Sequence, residues 1–200
     1  MNDPLTDALI DFGDDAATPL TPEERRDLIP SYITTRDQLN EAEQLGIAEA
    51  DRWAFSRKRN IPDERFLLGL HKRMFQDVWK WAGTFRTTPR NIGVEAYQIA
   101  VDLRQLLDDV RYWIEHATFP PDEIALRFHT RLTWIHPFPN GNGRHARLAA
   151  DLLVAALGGE RFTWGGGGLA DANTMRKTYI DAVRAGDNQD FAPLLAFARS

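Results

Sequence analysis

The sequence predicts an all-α domain of about seven helices with one short β-hairpin flap. Three observations predict it. Apolar residues recur at helical spacing in stretches running from Leu39 to Val183, and prolines and glycine clusters fall between those stretches. Only TFRTTPRNIGVEAYQ, residues 84–98, mixes β-branched and aromatic residues with Pro89 and Gly93. The chain of 200 residues is 43% apolar and carries six Trp and eleven Phe, enough to bury one sizeable core.

Taken in order, residues 1–20 are acidic, interrupted by Pro4 and Pro19, and read as a flexible tail. Residues 21–59 read as an N-terminal helical extension. Its helix starts at Thr35, where Thr35 and Gln38 have capping-box spacing, and Leu39, Ala42, Gly46, Ala50 and Trp53 form one face. Residues 60–200 read as the main domain. A second helix begins at Pro62, with Asp63 and Glu64 in its first turn, and its apolar stripe from Phe66 through Trp81 stops at Gly83. After the flap, Leu103, Leu106, Val110 and Ile114 mark one amphipathic helix, and Ile124, Phe128, Leu132 and Ile135 another, following Pro121. Residues 146–156 form an apolar helix, buried on most sides, that ends at Gly158 and Gly159. Beyond the glycines at 165–168, Asp171 is the expected N-cap of a helix carrying Met175, Tyr179 and Val183, and Asp190 caps a last short one.

Charge narrows the function. The net charge is −5, and Asp3, Asp7, Asp11, Asp14 and Asp15 account for it, so the remainder is neutral. A neutral domain with scattered signs does not predict nucleic acid as its main ligand. The absence of Cys excludes disulfides and thiolate chemistry. Without a basic and apolar leader or a run of about 18 apolar residues, the expectation is a cytoplasmic protein with no membrane partner.

The chemistry concentrates in HPFPNGNGRHAR, residues 136–147, between two apolar helices. Gly141 and Gly143 let the backbone turn tightly into a helix start, whose free N–H groups form an anion nest. Arg144 and Arg147 place two permanent cations within a turn of it, on one face. A di- or triphosphate suits this arrangement, and His136 just upstream can take the proton of an attacking hydroxyl. The spacing is not that of a P-loop.

These residues resemble the signature of Fic domain proteins, HxFx[D/E]GNGRxxR, departing from it only at Asn140. WAGTFR (81–86) resembles the stretch entering the Fic flap, and the resemblance covers roughly residues 60–197; HPFPNGNGRHARL and the N-terminal stretch are similar to the bacterial subgroup called mobile mystery protein B. The resemblance implies the all-α Fic fold and transfer of AMP from ATP, with Mg²⁺, to a Ser, Thr or Tyr hydroxyl of a target protein. By the same resemblance His136 is the general base, Phe138 anchors the loop, Gly141, Asn142 and Gly143 hold the α- and β-phosphates, and Arg144 and Arg147 bind phosphate. Asn140 stands where a carboxylate usually holds Mg²⁺ and is a weak ligand, because its amide brings no charge. The flap residues Thr84, Arg86, Ile92, Val94 and Tyr97 would clamp an extended target segment by strand addition. The subgroup further implies a toxin-like, mobile-element context with a cognate regulator or antitoxin. Other nucleotidyl or phosphocholine transfer, de-modification, and nucleotide binding without turnover remain open.

Fic proteins also resemble one another in an inhibitory helix whose Glu pairs with the second motif arginine. Here helical geometry selects Glu43, inside the stripe of the first helix, over Glu41 on the opposite face, with Arg147 as its expected partner. A snorkelling Glu43 is the competing expectation. His129, His136 and His145 do not make a zinc pattern. His129 is expected to be a hydrogen-bonded structural residue, His71 and His116 surface or partly buried groups without a role, and Trp79, Trp81 and Trp113 core. Arg57, Lys58 and Arg59 answer a helix C-terminus.

Overall fold

In the computed structural model, the residues described are 22–90, 92–166 and 172–200. Among them are eight α-helices: α1 (Pro22–Asp27), α2 (Arg36–Phe55), α3 (Glu64–Phe75), α4 (Ile99–Glu115), α5 (Pro121–Ile135), α6 (Asn142–Ala156), α7 (Ala172–Asp187) and α8 (Ala192–Ala198). A single 3₁₀ turn, Ala96–Gln98, leads into α4. The all-α expectation holds. The 1–20 tail and the Asp171 cap lie outside the described residues.

The α2 start follows the sequence. Thr35 Oγ1 accepts the Gln38 N–H, and Gln38 Oε1 accepts the Thr34 N–H at 2.8 Å. α2 lies against α3 at close range, because a Cβ on Gly46 would meet the Met74 carbonyl oxygen at 2.5 Å. Asp63 caps α3 by accepting the Phe66 N–H at 2.8 Å.

Two expectations fail for the same reason: backbone groups find partners outside their own segment. α3 ends at Phe75 rather than at Gly83. Residues 78–80 are drawn to the chain after α1, where Ile29 N–H donates to Val78 O, Lys80 N–H donates to Asp27 O, and Leu28 bridges Trp79. The 84–98 segment forms no hairpin ladder among its described residues. Its Arg86 N–H donates to Pro137 O at 2.9 Å and its Val94 N–H to Ile135 O at 3.4 Å, so these flap backbone N–H groups are tied to the chain around His136 rather than to a partner strand of the flap.

The core fills the space between α3, α4, α5 and α6, with Leu70, Met74, Leu106, Phe128, Ile135 and Leu153 nearly inaccessible to solvent. α6 is buried on most sides, as its composition predicts, and Gly158 follows its end with φ +85°. Asp190 Oδ1 accepts the Ala192 N–H at the start of α8, at 3.2 Å. Among the described residues, no helix is long and apolar enough to cross a membrane. Burial of this kind makes α5 and α6 rigid supports for the loop between them.

Candidate active site

α5 ends at His136, whose left-handed conformation (φ 52°, ψ 60°) turns the chain sharply into the loop. For a non-glycine residue this costs about 1–2 kcal/mol, offset by contacts around it. His136 N–H donates to Leu132 O, and His136 O accepts Arg86 Nε–H at 2.7 Å. The ring is 4% exposed, and its Nδ1 is buried without a hydrogen bond. Burial, followed by the charges of Arg86 and Arg90, pulls its pKa down to about 4. The imidazole is neutral at pH 7 and free to accept a proton.

The loop is held from beneath. Phe138 is 1% exposed and stacks on the His71 ring at a centroid distance of 3.6 Å, with His145 edge-on at 5.0 Å. The Asn142 side chain clasps Phe138: Oδ1 accepts its N–H at 2.9 Å and Nδ2 donates to its carbonyl at 2.8 Å. Only the Asn142 backbone is left to face an anion. Gly141, at φ +77°, precedes the first turn of α6, and a Cβ there would strike the Phe75 ring at 2.5 Å. The first-turn N–H groups at Asn142 and Gly143 have no acceptor within the helix, as at any helix start.

Arg144 and Arg147 leave α6 one turn apart. Arg144 lies over the Phe75 ring at 5.1 Å and Arg147 over the Tyr179 ring at 5.6 Å. Burial works against the Arg147 charge and lowers its pKa. Glu43 is 1% exposed, so it does not snorkel. Its partner is Arg144, at 2.8 Å, rather than the expected Arg147, and its other oxygen accepts Trp79 Nε1–H at 2.5 Å. Helical phase correctly put Glu43 inward; the choice between arginines depended on how α2 crosses α6.

Asn140 turns its side chain back onto its own loop. Its amide oxygen accepts the Gly141 N–H at 2.6 Å, and no group of three His, Asp or Glu able to hold a metal occurs among the described residues. A hard dication prefers charged oxygens, and the Asn140 amide brings no charge.

Residues 61–154, which contain this loop, α5 and all but the last two residues of α6, match the Fic/DOC family. The chain is 28% identical over 182 residues to "Probable protein adenylyltransferase y4lH" of Sinorhizobium fredii, an alignment covering 84% of this chain and 86% of that protein. A Caenorhabditis elegans protein named "Protein adenylyltransferase fic-1" is 31% identical over 96 residues, 46% of this chain and only 19% of that relative. Among solved structures, the N-terminal FIC domain of Bep8 from Bartonella sp. 1-1C superposes with a TM-score of 0.67 at 16% identity, covering 88% of this chain and 95% of that one. Fic-1 (residues 134–508) from C. elegans gives 0.64 at 21%, covering 86% and 50%. These structures establish the Fic fold.

Around the Fic loop, the flap behaves differently from expectation. Arg86, Ile92 and Val94 are buried, while Thr84 and Tyr97 are exposed, Tyr97 by 80%. The Arg86 guanidinium donates to the carbonyls of His136, Val94, Thr88 and Ile135, so its side chain is a clasp and is spent before any target arrives. Sequence reasoning also missed His71. Gly83 N–H donates to its Nδ1 at 3.0 Å, which leaves the proton on Nε2 to be donated to Asn140 O at 3.1 Å. Its spacing from Leu67, Leu70 and Met74 placed it on the buried stripe and could have found it. His129 meets the Tyr179 hydroxyl at 2.8 Å and is structural as expected.

Proposed function

We propose that this chain is a protein adenylyltransferase that moves AMP from ATP to a Ser, Thr or Tyr hydroxyl of a target protein. The observation that carries the reading is a buried, neutral His136 set one loop away from a glycine-entered helix start with two arginines. Relatives named as protein adenylyltransferases support it. In the reaction the target hydroxyl oxygen bonds to the α-phosphorus, and the bond from that phosphorus to the oxygen bridging to the β-phosphate breaks. Pyrophosphate leaves with that bonding pair, and His136 takes the hydroxyl proton. The α6 N–H groups at Asn142 and Gly143, with Arg144 and Arg147, hold the phosphates and meet the charge that develops, whereas the Gly141 N–H is taken by Asn140.

Regulation belongs to the same reading. Glu43 occupies Arg144 with a carboxylate where a phosphate oxygen would otherwise sit, so α2 acts as an inhibitory helix through the first motif arginine. The likeness of HPFPNGNGRHARL to mobile mystery protein B supports a bacterial, toxin-like setting with a cognate regulator. The test is incubation with α-³²P-labelled ATP and a bacterial lysate. The reading expects labelled protein with the native chain, more with Glu43→Gly, and none with His136→Ala. Equal labelling by His136→Ala removes His136 as the base, and no labelling by folded native or Glu43→Gly chain favours a nucleotide-binding module without turnover.

A further inference from the structure

α2 turns two ordered faces in opposite directions. One is packed against the domain through Leu39, Glu43, Ala50 and Ala54. On the other, Gln38, Glu41, Leu45, Ala48, Arg52 and Phe55 follow one another at alternating spacings of three and four, the seam spacing of a two-helix coil. All six are exposed, Leu45 by 66% and Phe55 by 38%. Among the described residues, the side chains of Glu41 and Arg52 make no hydrogen bond or ion pair. Gln38 uses its amide oxygen to cap the helix start, which leaves its methylenes on the ridge, and Arg161 lies over the Phe55 ring at 4.6 Å.

This ridge is complementary to its own reverse. A second α2 laid antiparallel, centred between positions 46 and 47, brings Leu45 against Ala48, Glu41 against Arg52 and Gln38 against Phe55. A two-fold axis repeats each match. At the centre a large side chain faces a small one, so the helices can approach closely, and an acid faces a base on either side. Just off the seam, Asp37 comes beside Arg57 and Lys58, which are exposed beyond the end of the helix. A parallel pair would instead set Glu41 on Glu41 and Arg52 on Arg52 and align the two helix dipoles, all of them repulsive arrangements. Charge therefore selects the antiparallel pair, along a helix of 20 residues.

We infer that the exposed ridge of α2 is the dimer interface of this chain, and that the same ridge of a second copy occupies it in antiparallel register. Glu43 leaves the helix about 160° from Leu45, at 100° per residue. Pairing therefore leaves the bond from Glu43 to Arg144 intact and backs the helix that carries it. No residue of the 136–147 loop takes part, so the inference stands whether or not the chain transfers AMP.

Sedimentation equilibrium of the full chain tests this, first on the native protein and then with charge reversals at two exposed positions. The native chain should pass reversibly from monomer to dimer as its concentration rises through the micromolar range, as a small interface allows. Glu41→Arg and Arg52→Glu should each weaken the dimer by about tenfold or more, because the two-fold axis turns two attractions into repulsions at once. An equimolar mixture of the two single variants regains an acid opposite a base at both matches and should dimerise within a few-fold of native. The chain carrying both substitutions should do the same. Three results would each overturn the inference: a native chain that stays monomeric into the high micromolar range, a dimer indifferent to both reversals, or a mixture that associates no better than its components. The concentration series needs no variant, so it decides the matter even where a substitution disturbs folding.

Discussion

At His136, the proposed base, one imidazole would meet two demands: it must be neutral to take a proton, and it must stay put at a tight turn. Burial answers both, lowering its pKa to about 4 while Arg86 and Leu132 hold its backbone. Because the group is already deprotonated, transfer should not fall between pH 8 and pH 6 on its account; a rate–pH profile halving near 6.5 would contradict this. His136→Ala should abolish transfer while nucleotide affinity, carried by α6 and its arginines, stays within a few-fold of native. Gly93 is the neighbour that permits this packing. A Cβ on it would lie 2.5 Å from His136 Cβ and 2.9 Å from Arg86 Nη2, at φ +87°. Gly93→Ala should therefore cost about 2 kcal/mol or more of stability, from the backbone alone about 1–2 kcal/mol, and slow transfer further; a melt and a rate equal to native would refute the close approach. At Asn140, an Asp would supply the missing charge, so Asn140→Asp should steepen the dependence of transfer on Mg²⁺. An unchanged metal titration would count against it.

The flap and α2 act as elements rather than as single groups. Arg86 gathers carbonyls from both the flap and the turn at His136, so its removal strands buried acceptors. Arg86→Met should destabilise the chain by about 3 kcal/mol or more, and hydrogen exchange should rise at Val94 and His136 together; loosening of Val94 alone would show that the two segments are not coupled. The same arginine shows where sequence reading stops. Its position in WAGTFR marked the flap, but a long polar side chain beside threonines and a proline carries no periodic signal of burial. Glu43 is the opposite case. Its position within an apolar stripe announced that it faces inward, whereas the identity of its cation is a property of the α2–α6 crossing, which no local pattern encodes. The early end of α3 belongs to the same class, since the stripe through Trp81 persists while residues 78–80 bond to the chain after α1.

Across the whole molecule, four histidines are buried in neutral form. Burial holds His129 at about 3, His136 and His145 at about 4, and His71 well below the usual value of 6.5. On unfolding each recovers an ordinary pKa, so between pH 6.5 and about 4 the unfolded chain binds more protons than the folded one. Stability is then complete above pH 6.5 and is lost as pH falls, with a slope of up to about 1.4 kcal/mol per pH unit for each histidine. Thermal melts should fall steadily from pH 7 to pH 5, and a melting temperature constant over that range would refute neutral burial of the set. The all-α class, the α2 cap and the glycine-entered start of α6 were legible because each is a local pattern; the histidine floor beneath Phe138 joins α3 to α6 and is long-range. The central claim concerns which phosphate bond the loop opens. Giving the purified Glu43→Gly chain ATP labelled at either the α- or the γ-phosphate, with a lysate, tests it most directly. The account predicts that protein acquires label from the α position alone and releases pyrophosphate, whereas label transferred from the γ position would contradict it.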